Sequence, residues 1–139
     1  MKDVTAKMRQ AYTVKLEPLA VGVYDQVLPV NRKDTKYIIL TTQTQDGNRT
    51  KSNFTPLCSI VVDINVRTGS NTGKLECDRI ANEVLQLINP ISRSGYIDLG
   101  EDFECVLTTV LQNETLHDLL GTGHIYRRII RFQHKVLEK

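Results

Sequence analysis

Between Cys58 and Ile88 the apolar residues change their spacing from strand-like to helical across one short turn, and this switch limits what the chain can fold into. Cys58, Ile60, Val62, Ile64 and Val66 alternate with Ser59, Asp63, Asn65 and Arg67, as in a strand with one face on a core. From Leu75 onward, Cys77, Ile80, Ala81, Val84, Leu87 and Ile88 fall on a single helical stripe. Pro90 closes that stripe, because it has no N–H to donate and disfavours helix at Asn89. A one-faced strand that runs into an amphipathic helix predicts a sheet covered on one side by helices.

The remaining segments extend this frame. Val4, Met8, Ala11, Tyr12 and Leu16 recur at helical spacing, so residues 2–17 read as an amphipathic helix that Pro18 ends or bends. AVGVYDQVLP (20–29) reads as a turn-like connection, and KYIILTTQT (36–44) as a strand. QDGNRTKSN (45–53) is polar and turn-forming. In DFECVLTTVLQN (102–113), Phe103, Cys105, Leu107, Thr109 and Leu111 alternate onto one face. In HIYRRIIRFQHKV (124–136), Tyr126, Arg128, Ile130, Phe132, His134 and Val136 do the same. The stretch between them, ETLHDLLGTG, has room for a turn of helix before Gly121 and Gly123 break it. The expectation is an α+β fold: one domain over residues 1–139, a mostly antiparallel sheet of about four strands, and an N-terminal and a central helix packed on one face. The other face, carrying Asp63, Arg67 and Arg127, is expected to meet water or another subunit.

The turn at the switch, RTGSNTGK, imitates a phosphate-binding loop. Such a loop needs G-x-x-x-x-G-K-[ST], in which backbone N–H groups wrap the phosphates and the Ser or Thr ligates magnesium. Gly69 and Gly73 are one residue too close, and Leu75 follows Lys74. The alternating strand ahead of it is also unlike the buried parallel strand that normally feeds a phosphate loop. The turn therefore reads as a strand-to-helix corner, with Ser70, Asn71 or Thr72 available to cap the helix and Lys74 exposed at its start.

Other chemistry is equally absent from the pattern. Cys58, Cys77 and Cys105 are widely spaced and read as small core residues; His117, His124 and His134 are scattered without metal-ligand spacing. Glu101 and Asp102 are neighbours in a turn, where both stay solvated and ionised. No catalytic residue, cofactor, metal or small-molecule substrate is expected. No apolar run reaches membrane-spanning length and no signal-peptide stretch opens the chain, so a soluble protein made in a cytoplasm is expected, with no membrane partner. The sequons at Asn48, Asn53 and Asn113 are then chance.

The net charge of +2 is unevenly spread. Asp98, Glu101, Asp102, Glu104, Glu114 and Asp118 lie in a stretch without Lys or Arg, whereas residues 124–135 carry Arg127, Arg128, Arg131 and Lys135 without an acid. If 124–135 is a strand, its arginines divide between the two faces, which weakens the case for a nucleic-acid-binding module.

The order of elements, VGVYDQVLP after an N-terminal helix with Val23, Tyr24, Asp25 and Pro29, the two strands around a polar loop, the helix KLECDRIANEVLQLI and the closing strand YRRIIRFQHKV together resemble the tail-completion (tail-terminator) proteins of tailed bacteriophages. The resemblance covers nearly the whole chain. It departs at SGYIDLGEDFE, which is longer and more charged than that hairpin usually is. The resemblance implies a structural virion protein at the head–tail junction: a homo-oligomeric ring, six-fold in long-tailed relatives, that ends the tail and docks it to the head. Its partners would be copies of itself, the portal or adaptor, and tail-tube or other neck proteins, with DNA crossing the channel without sequence-specific binding. The alternative within this class is an adaptor or stopper ring of a short-tailed phage. Candidate inter-subunit or ring-stacking residues are Asp98, Glu101, Asp102, Glu104, Arg127, Arg128 and Arg131, with Arg49 and Lys51 in the loop Gln45–Asn53. Residues 45–54 and 112–123 are expected to order only on assembly.

Overall fold

The structure, a computed structural model, describes residues 2–25, 35–47, 55–68, 73–120 and 123–139. Helix α1 (Thr5–Leu16) begins where the Asp3 carboxylate accepts from the Thr5 N–H at 2.9 Å and from its hydroxyl. Pro18 lies in the 3-10 turn Glu17–Leu19 that follows, and Ala20, at φ 56°, ends it in the left-handed region. The central helix, α2 (Gly73–Ile88), buries Cys77, Ile80, Ala81, Val84 and Ile88.

The sheet contains β1 (Gly22–Asp25), β2 (Lys36–Asp46), β3 (Leu57–Thr68), β4 (Phe103–Leu120) and β5 (Gly123–Glu138), in the order β1-β2-β3-β5-β4. Every neighbouring pair is antiparallel except β1 with β2. The α+β class and the two helices on one face agree with the sequence reading, but three local expectations do not. Gly22–Asp25, expected in a turn-like connection, forms a fifth strand parallel to Tyr37–Leu40. A strand this short carries almost no periodic signal, and its pairing is supplied by β2. The stretch expected to hold a turn of helix is strand: β4 continues to Leu120 and pairs with β5 back to Gly123. Cross-strand pairing along the whole hairpin outweighs the local helical preference of ETLHDLL.

The third correction concerns the row Phe103, Cys105, Leu107, Thr109 and Leu111. Two bulges interrupt β4, one between Cys105 and Leu107 and one between Val110 and Gln112. Each inserts one residue and reverses the faces of those that follow. Phe103 and Cys105 are buried; past the first bulge Thr108 and Val110 take the core-facing positions, and Leu107 and Leu111 are left 50% and 49% exposed. A bulge between Thr41 and Gln43 acts likewise in β2. It turns Gln43 and Gln45 towards α1, where Gln45 Oε1 accepts from the Val4 N–H at 3.3 Å and Gln43 donates to the Thr5 carbonyl at 3.1 Å.

One continuous core lies between the sheet and the helices. Met8, Tyr12 and Leu16 from α1 meet Ile80, Val84 and Ile88 from α2 over Ile60, Val62 and Ile64 of β3 and Ile130, Phe132 and Val136 of β5. The opposite face of the sheet is polar without being fully wet: Ser59, Asp63 and Asn65 are buried there among longer neighbours. No described helix is long and apolar enough to cross a membrane.

Candidate interaction surfaces

Antiparallel register decides which charges share a surface. On β5, Arg127 and Arg131 project from the face away from the helices, and Arg128 from the helix side, as alternation requires. Arg127 Nη2 donates to Asp63 Oδ2 at 2.8 Å, and its Nη1 lies 3.9 Å from Asp118. Its hydrogen bonds to Asp63 raise its pKa still further, so it stays a cation. Asn65 Nδ2 donates to Asp63 Oδ1 at 3.1 Å, so the buried carboxylate has partners on both sides. Arg128 donates to Asp78 of α2 at 2.7 Å and to Asn113 of β4 at 2.9 Å, tying helix to hairpin. Arg131 makes no ion pair among the described residues, and its buried Nε has no partner.

The acids divide in the same way. Asp102 pairs with Lys2 Nζ at 3.2 Å, and Asp98 Oδ1 accepts from the Gly100 N–H at 2.9 Å. Glu101 and Glu104 are exposed and have no ion pair among the described residues. Of the candidate contacts, Asp102, Arg127 and Arg128 are thus engaged within the chain, while Glu101, Glu104 and Arg131 have no ion pair among the described residues. Arg49 and Lys51 lie outside the described residues.

Two histidine arrangements emerge that spacing along the chain did not suggest. His134 is fully buried on the core side of β5. Its Nε2 meets the Tyr12 hydroxyl, and its Nδ1 lies 3.0 Å from Thr108 Oγ1 and 3.6 Å from Cys105 Sγ. One assignment satisfies the group: Tyr12 O–H donates to Nε2, and Nδ1–H donates to Thr108. Burial lowers the imidazole pKa to about 4, so at neutral pH the ring is uncharged. At the far end of the hairpin, His117 Nε2 and His124 Nδ1 are 2.9 Å apart, and the His117 ring stacks on Tyr126 with centroids 4.5 Å apart. Reading ETLHDLLGTGHIY as a hairpin folding near Gly121 would have placed these rings together. Among the described residues no group of three or more His, Cys, Asp or Glu side chains is placed to hold a metal ion.

All three cysteines are buried and free. Burial pushes the Cys58 thiol up to about 12 and the Cys77 thiol to about 11, and it raises Cys105 as well. The native protein is therefore expected to give almost no reaction with Ellman's reagent at pH 8, with all three thiols titrating once urea unfolds it; fast native labelling would contradict this packing.

The corner that imitates a phosphate loop has another use. Gly73 opens α2 against the hairpin, and a Cβ there would come within 2.5 Å of Thr68 Cγ2 and 2.8 Å of the Tyr126 ring. Glycine is needed so that helix and strand can approach this closely. Lys74 is exposed and does not line the neighbouring depression, whose Lys36, Glu76 and Arg79 pair with one another. These partners pull the Glu76 carboxyl down to about 2, Arg79 contributing most. Elsewhere the surface is open. A depression of about 420 Å³ runs between α1 and the loop 96–100, lined by Lys7, Gln10, Ala11, Val14, Lys15 and Leu99 among others.

The fold and these surfaces define a class: a two-layer α+β domain with a long β-hairpin and charged patches on an open surface. A chain in the virion of a native gene transfer agent particle has this fold, with a TM-score of 0.70 at 12% identity over 99% of each chain. No protein-family model matches the sequence, and no curated protein matches it.

Proposed function

We propose that this chain is a non-enzymatic structural subunit of a phage-like virion and forms a homo-oligomeric ring at the head–tail junction, completing the tail and docking it to the head connector. The observation that carries this reading is the end-to-end fold likeness, 99% of both chains, to a chain of a gene transfer agent virion. The sequence resemblance to tail-completion proteins, carried by the order of elements and by Val23, Tyr24, Asp25 and Pro29, points the same way. Further support comes from the surface, where Glu101, Glu104 and Arg131, without an ion pair among the described residues, carry charges that an adjacent copy or a stacked ring can pair. In such a ring DNA would pass the channel without base-specific contacts, and residues 1–139 would act as one unit.

The test is assembly. Mass photometry and negative-stain microscopy of the purified chain, alone and with particle necks, are expected to reveal closed rings. Six-fold symmetry would fit a tail terminator, and twelve-fold symmetry an adaptor or stopper ring. A strict monomer at tens of micromolar that also fails to label the necks would refute the ring reading.

A further inference from the structure

We propose that the α1 depression of one copy receives the far half of β4 of the next copy, with Lys7 and Lys15 flanking the seat and Glu114 and Asp118 flanking the segment that enters it. This contact deepens the ring reading above and rests on it.

The depression has the features of a receiving surface. Its floor includes Ala11, Leu99 and Val14, the last 68% exposed although apolar. Lys7 and Lys15 stand along it without an ion pair among the described residues. Asp98 on the opposite wall is turned to its own loop, where it accepts from the Gly100 N–H. Apolar surface between two unpaired cations suits an extended segment with an apolar residue between two acids.

The far half of β4 is such a segment. Register puts Glu114, Leu116 and Asp118 on one sheet face, opposite Ile129, Arg127 and Ile125. Both acids are exposed and Leu116 is half-buried between them. Asp118 has only a 3.9 Å contact with Arg127 and is 59% exposed, so most of its charge remains available. The spacings agree. Eight residues of helix separate Lys7 from Lys15, about 12 Å at 1.5 Å per residue, and four residues of strand separate Glu114 from Asp118, about 13 Å at 3.3 Å per residue.

One chain cannot make this contact with itself. The depression is built against α1 on the helix-covered side of the sheet, whereas Glu114, Leu116 and Asp118 project from the opposite face, beside Arg127. Two complementary patches at separated places on one subunit give a head-to-tail contact, the kind that closes a ring. The charges set register and partner choice, and the apolar seat supplies the burial.

Charge reversal tests the assignment. Lys7→Glu with Lys15→Glu makes the seat acidic; Glu114→Lys with Asp118→Lys makes the segment basic. Each double variant, shown to be folded by circular dichroism, is expected to raise the concentration for half-assembly by more than about tenfold, because like charges then face each other. Mixed one to one, the two variants are expected to reassemble, since each seat now finds a matching segment on the other variant in an alternating ring. If the wild-type chain forms rings and either folded double variant assembles equally well, or the mixture fails to recover, this contact is wrong and the ring reading stands. If the wild-type chain forms no ring alone or with necks, both fall.

Discussion

Phe132→Ala is expected to lose about 3–5 kcal/mol of folding stability, while Leu107→Ala changes it by less than about 0.5 kcal/mol. Both residues belong to strands of the same hairpin, and plain alternation along β4 would put Leu107 in the core row with Phe103. The bulge after Cys105 removes it from that row. Phe132 is fully buried, its ring centroid 6.2 Å from that of Tyr12, and its strand neighbours are Ile60 and Val110. Truncation there removes a large apolar area and leaves a cavity between two helices and a sheet that cannot close independently. Leu107 is 50% exposed and loses little. Urea unfolding followed by circular dichroism measures both. A Leu107→Ala loss comparable to that of Phe132→Ala would mean that β4 runs without the bulge.

The second large effect is an acid-sensitive window caused by one buried ring. The His134 pKa is lowered by burial from 6.5 to about 4. Above pH 6.5 the ring is neutral in both folded and unfolded chains, and its ionisation does not affect stability. As pH falls from 6.5 towards 4, the unfolded chain takes up a proton that the folded chain refuses, so stability drops. At 1.36 kcal/mol per pH unit the full loss is about 3 kcal/mol. Protonation would also oppose the Tyr12 O–H, which donates to Nε2 in the neutral ring, and so loosen α1 from β5. Urea midpoints should stay nearly level from pH 7.5 to 6.5 and fall from there to 4.5 in the native chain, and His134→Asn should flatten that slope whatever its own baseline stability. Glu76 acts in a different range: its lowered pKa gives stability that is lost only as pH falls below the ordinary 4.5 of a glutamate towards 2. A native profile that is flat from pH 6.5 to 4.5 would refute the buried neutral imidazole.

Where the sequence was informative, several signals coincided. β3 and α2 were readable because Cys58 to Val66 and Cys77 to Ile88 repeat with unbroken period, and Pro90 ends the second. The split of Arg127 and Arg131 from Arg128 followed from alternation alone. β1 was not readable, because four residues carry too little periodicity and its strand character comes from pairing with β2. The far half of β4 was misread because ETLHDLL has helical character locally, and only the register with β5 overrides it. The internal pairing of Arg127 with Asp63 and of Asp102 with Lys2 joins residues 64 and 100 positions apart, which no local pattern reports.

The sequence by itself determined the class of fold, the helical stripe of α2 and the central strand, because each depends on residue type and spacing over one or two turns. Tertiary structure alone decided which leucines of β4 stay exposed, which charges are already paired, how His117 meets His124, and that Lys7 and Lys15 lie on the opposite side of the sheet from Glu114 and Asp118. Those outcomes depend on strand register and bulges, and one inserted residue reverses every side chain beyond it.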